Sequence, residues 1–90
     1  MQELYVESRT AEGEEGKVHC FDYFVVVGEM EVSGGFACES YGVKIRERGG
    51  DTAVIPNLTV SAARIDELLG LLVRHQVGPT GVRDVVEDWL

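Results

Sequence analysis

The hydrophobic period of this chain changes once, near residue 60, and that change limits the folds open to it. Before it, apolar and polar positions alternate between glycine-bearing breaks, the pattern of strands and turns. After it, the apolar residues recur at three- and four-residue spacing: Ile65, Leu68, Leu69, Leu72 and Val73 fall on one helical stripe. Val82, Val85, Val86, Trp89 and Leu90 repeat that stripe beyond Gly78-Pro79. A pair of amphipathic helices needs an apolar surface to cover, and the preceding strands supply it. Strands first and helices second, without repeat or linker, predict a single α+β domain in which both helices pack on one face of an antiparallel sheet.

The spacing predicts strands over residues 2–12, 17–29, 36–48 and 51–55, in a four-stranded meander ordered 1-2-3-4, and helices over 61–76 and 80–90. Strand two carries Phe21, Tyr23, Val25 and Val27 on one face and Val18, Cys20, Phe24 and Val26 on the other, as a central strand does. Strand three carries Tyr41, Val43 and Ile45 on one face and Lys44, Arg46 and Arg48 on the other. A one-residue slip would turn every side chain to the wrong face, so the two apolar faces must match. A three-residue loop, Ser33-Gly34-Gly35, achieves the match. It sets Val25 opposite Val43, Tyr23 opposite Ile45 and, on the outer face, Asp22 opposite Arg46. Turns at Gly13-Glu14 and Gly49-Gly50 are expected to pair Leu4 with Tyr23, Val6 with Phe21 and Val54 with Ile45. Pro56, which has no N–H for the ladder, is expected to end strand four or mark an edge.

In the helical third, Ser61 is the expected N-cap of the first helix, with Thr59 as the alternative, and Gly78-Pro79 its stop. Thr80 is expected to cap the second helix, which is too short to persist unless Trp89 and its neighbours are docked.

Composition narrows the partners. Sixteen acidic residues against eight basic ones give a net charge of −8, which repels phosphate backbones and anionic lipid, so nucleic acid and membrane surfaces are excluded as expected partners. A helix-turn-helix role for the tail fails on the same ground, because Arg64, Arg74 and Arg83 face five acids there. No basic segment followed by an apolar stretch opens the chain, and a cytoplasmic location is expected. Cys20 and Cys38 lack metal or redox spacing and read as free thiols.

The segments Glu3-Leu4-Tyr5-Val6, Tyr41-Gly42-Val43-Lys44-Ile45 and Val77-Gly78-Pro79, followed by Asp84-Val85-Val86-Glu87-Asp88-Trp89-Leu90, carry a resemblance. The chain resembles an uncharacterised family of small bacterial proteins, a domain of unknown function seen mainly in low-G+C Gram-positive organisms. The resemblance implies no activity, cofactor or catalytic residue.

Read for chemistry, the chain offers little that converges. His19 projects from its strand on the face opposite Cys20 and Asp22, so no nucleophile with base and orienting group assembles there. The glycine pairs lack a phosphate-loop signature, and Glu12, Glu14 and Glu15 lack calcium-loop spacing. No enzyme, metal or cofactor is expected. Lys44, Arg46 and Arg48 form a cationic row that suits an anionic small ligand or, with Asp22 opposite Arg46, cross-strand ion pairs. The outer face also gathers Phe24, Val26, Phe36 and Cys38, which neither helix is placed to cover. Such a patch marks an interaction surface unless the first residues or residues 56–60 fold over it. The expectation is therefore a non-catalytic interaction or regulatory module with a protein partner, self or other, forming a homodimer through that face.

Overall fold

A glycine-bearing loop sets the longest pairing in the molecule. In the computed structural model, which describes residues 1–90 with the side chain of Val32 excepted, β2 (Val18–Val32) and β3 (Phe36–Glu47) run antiparallel from Phe21 opposite Glu47 to Val32 opposite Phe36. Gly34 and Gly35 take φ of 89° and 77°, left-handed values that suit glycine. The expected pairs Val25–Val43, Tyr23–Ile45 and Asp22–Arg46 all form. With β1 (Gln2–Glu12) and β4 (Thr52–Thr59) outside them, the four strands make the meander β1-β2-β3-β4.

The outer strands correct the expected registers. The β1–β2 connection is not a two-residue turn at Gly13-Glu14: Glu12 faces Val18 across a longer loop built on a 3-10 turn, Glu14–Gly16. Glu7, Arg9 and Ala11 therefore take the inner face, opposite Tyr23, Phe21 and His19. A bulge at Val6 then restores parity, and Leu4 pairs with Val25 rather than Tyr23. At the other hairpin the Glu47 N–H donates to the Asp51 carbonyl at 2.9 Å, so the loop holds Arg48, Gly49 and Gly50 instead of the two glycines alone. Ala53, not Val54, faces Ile45, and Val54 turns to the outer face opposite Lys44. Strand four also runs past Pro56. Between Val43–Ile55 and Tyr41–Thr59 it accommodates two extra residues, with Asn57 at φ 55°.

That bulge depends on Gly42. A Cβ at Gly42 would lie 2.2 Å from the Ile55 carbonyl oxygen and 2.6 Å from the Pro56 Cα, so only glycine lets β4 cross there. The Ser40 hydroxyl donates to the Asn57 side-chain oxygen and pins the crossing from beneath.

Two helices complete the inner layer. Helix α1 (Ala62–Arg74) starts at Ser61, whose Oγ accepts the Arg64 N–H at 3.2 Å, the expected cap. It ends before Gly78-Pro79: Gln76 takes the left-handed conformation at φ 52°, and Val77 and Gln76 donate to the Leu72 and Val73 carbonyls at 3.0 and 3.1 Å. Gly78 serves packing instead, since a Cβ there would lie 3.0 Å from the Phe21 ring. Helix α2 (Val82–Trp89) begins at Gly81 rather than a capping Thr80 and has no side-chain cap, so packing of Val82 and Val86 holds it.

Phe21, Tyr23, Val43 and Ile45 from the sheet bury against Ile65, Leu68, Leu69, Leu72 and Val73 of α1 and Val82 and Val86 of α2. The Tyr23 hydroxyl donates to the Val77 carbonyl at 2.8 Å, tying the sheet to the interhelical segment. Trp89 packs half-buried at the margin of this core, with the Arg64 guanidinium 4.4 Å from its ring centre. The body measures 54 × 23 × 18 Å and exposes 5668 Å², above the ~5200 Å² expected of a globular chain of this mass. No helix is long and apolar enough to cross a membrane.

Candidate functional site

The excess length lies in the β2–β3 hairpin. Pairing of β1 begins at Gln2 opposite Val27, and that of β4 ends at Thr59 opposite Tyr41, so residues 28–40 continue as a two-stranded ribbon. Among the described side chains none of them joins the apolar core. Because strand side chains alternate, the ribbon is two-faced. Met30 lies opposite Cys38 on the outer face, with Phe36 beside them, 72% exposed. Glu29 lies opposite Glu39 on the reverse face, next to Glu31 opposite Ala37. Like charges directly across a ladder oppose pairing, and an isolated two-stranded hairpin is marginal in water. Ser40, buried and bonded to Asn57, anchors the ribbon at its base.

The expected patch is thus divided. Val26 is 1% exposed, facing Gly42 where the β4 bulge crosses the sheet. Phe24 meets the edge of the Tyr5 ring at 5.7 Å and lies under the Lys44 ammonium and Arg46 guanidinium, each 5.2 Å from its ring centre. Both belong to a covered outer layer, so for these two residues the alternative holds in which the first residues and residues 56–60 fold over the patch. Cys38 is half-buried, Phe36 is open, and Met30 joins them. Met30 escaped the sequence reading because strand two was ended at residue 29; its even parity, shared with Phe24 and Val26, was the available signal.

The cationic row is held by carboxylates of the chain itself. Lys44 Nζ donates to both Glu3 oxygens at 2.8 and 2.9 Å. Arg48 and Arg46 converge on Asp22, with closest contacts of 2.9 and 3.1 Å, and the Ser8 hydroxyl donates to the same carboxylate. Hydrogen bonds from Arg48 and Ser8, set against burial and joined by that from Arg46, hold the Asp22 carboxyl well below the usual range. Its partners shield it more than depth does: Asp22 is 1% exposed, while the two arginine side chains are 50% and 62% exposed.

His19 faces away from Cys20 and Asp22, as expected, and stands 3.3 Å from Glu47 with its ring stacked on Phe21. That pair was missed, although both residues share the odd, inner parity. Among the described residues no three metal-ligating side chains cluster, and both cysteines are free thiols.

Comparison with curated proteins and with solved structures returns no match. A family model described as a family of unknown function (DUF6514) matches residues 2–90. With that match spanning nearly the whole sequence, the chain belongs to the DUF6514 family.

Proposed function

We propose that this chain is a non-catalytic, cytoplasmic interaction module that self-associates through the apolar face of its ribbon. The observation that carries the reading is Phe36, 72% exposed on a ribbon that no other element covers. Its strands alternate so as to send Met30, Phe36 and Cys38 to one side and Glu29, Glu31 and Glu39 to the other. In a chain of net charge −8, most surfaces repel a second copy. The outer ribbon face is the exception: two copies stacked by that face bring Met30, Phe36 and Cys38 together and point both acidic faces outward. The contact is isologous, as closed dimers require.

Its size sets its strength. Five residues of each strand span ~17 Å, which gives a contact well below the ~800 Å² per partner of a stable interface. The dimer is accordingly weak and concentration-dependent. Light scattering from the low micromolar to the millimolar range should show the mass rising from one chain towards two, and Phe36→Glu should hold it at one. A wild-type chain that stays monomeric throughout, or a Phe36→Glu chain that dimerises equally well, overturns the reading.

A further inference from the structure

A second surface lies on the other side of the sheet, where the edge of β1 runs beside α1. An open groove of about 480 Å³ separates them. Its apolar lining comes from Val6 on the strand and Leu69 and Val73 on the helix. Glu7 and Asp66 line it as well, and so do Arg9 and Arg74; among the described residues none of these four is in an ion pair. The Gln76 amide donates to the Thr10 carbonyl at 3.5 Å, which sets the C-terminal end of α1 beside the Arg9 end of β1. The groove therefore places Glu7 with Asp66 at one end and Arg9 with Arg74 at the other, with Leu69 and Val73 between them on the helix and Val6 beyond Glu7 on the strand.

Two further features belong to this groove. Past the bulge, β1 pairs regularly with β2 from Glu7 to Glu12, so its free edge presents unpaired backbone groups over that stretch. Among the described residues the long Gln76 bond is the one hydrogen bond made onto it from a helical segment. The opposite edge, β4, is broken by Pro56 and the left-handed Asn57 and offers no such template. The helix flank of the groove holds Gly70 in the interior of α1, where glycine disfavours the helix and where a Cβ would meet nothing within 4 Å. The fold itself has no use for the missing side chain; a chain lying in the groove does.

We propose that the groove between β1 and α1 receives an extended segment of a partner protein, which adds to the sheet beside β1. Main-chain hydrogen bonds to Glu7–Glu12 hold it, and alternate side chains enter the groove. The pairing is antiparallel, the more stable arrangement. The partner residue opposite Arg9 and Arg74 then carries a carboxylate, the residue two further on, opposite Glu7 and Asp66, carries a cation, and apolar residues flank this pair, towards Ala11 on one side and Val6 on the other. An uncharged apolar strand would cover the same four charges without pairing them, at the cost of their hydration, so the edge is selective rather than sticky.

The probe is a pool of capped heptapeptides, X-Thr-Glu-Thr-Lys-Thr-X with X drawn from Val, Ile, Leu and Phe, against a pool of reversed order. Titrated into the isotopically labelled full chain, the first pool should shift the backbone amide resonances of residues 6–12 and 66–74 and slow hydrogen exchange along β1. Gly70→Leu, which keeps a strong helix former in α1, should fill the groove and weaken binding at least tenfold. Arg9→Glu with Arg74→Glu should abolish binding of the first pool and restore it to a pool with Lys in place of the Glu. Absence of shifts from either pool at millimolar concentration, shifts centred elsewhere, or binding indifferent to Gly70→Leu in a folded chain overturns the proposal. A preference for the reversed pool overturns the antiparallel assignment.

Discussion

Tyr23 does two jobs with one hydroxyl. It fills the centre of the sheet's inner face and donates to the Val77 carbonyl, and burial pushes its pKa up to about 12 from the ordinary 10.0. Between those values the unfolded chain has released the phenolic proton and the folded chain still holds it, so stability falls as pH rises through the interval. Urea unfolding of the wild type should show that loss between pH 10 and 12. Tyr23→Phe should remove most of it, leaving the contribution of Tyr41, whose pKa is raised by its hydrogen bond to Glu39. At neutral pH the substitution should cost about 1 kcal/mol for the lost bond, with the Val77 carbonyl left partly unsatisfied.

Among the elements, β4 makes the largest demand on a single residue. Its crossing at Ile55-Pro56 occupies the space a Cβ on Gly42 would take, with backbone on the opposing side and no flexible side chain to yield. Gly42→Ala should therefore destabilise the protein by more than about 3 kcal/mol in urea unfolding, because backbone must move to admit the methyl group. This element also separates what could be read in the sequence from what could not. The β2–β3 register follows from local matters, a three-residue glycine loop and two apolar faces that must agree, and it forms as expected. The registers of β1 and β4 turn on an extra residue at Val6, which carries no turn chemistry, and on two more at Pro56-Asn57, whose turn chemistry reads as the end of a strand while the chain uses it for a bulge within one. The patch failed where those bulges act: Val26 is covered beside the β4 crossing and Phe24 by Tyr5, while Phe36 and Cys38, beyond the reach of either outer strand, stand as read. In the helices the apolar stripes were legible and the stops were not, because Gln76 accepts a conformation that the sequence assigns to Gly78.

At the scale of the molecule, the ribbon and the core are separate investments. Since the described side chains of residues 28–40 add nothing to the apolar core, replacing residues 30–38 by Asn-Gly, a two-residue loop that joins the facing Glu29 and Glu39, should leave unfolding stability within about 0.5 kcal/mol of the wild type. The same deletion should hold the mass in light scattering at one chain at every concentration. A large loss of stability would instead make the ribbon part of the scaffold. The outline of 54 × 23 × 18 Å has its own consequence. A body three times longer than it is thick, gripped near one tip, behaves as a lever: small angular play at the contact becomes a wide sweep of the helical end. In the proposed dimer, whatever β1 and α1 carry at that end would explore a large volume around the other copy, so one such pair would reach for a third molecule without either chain bending.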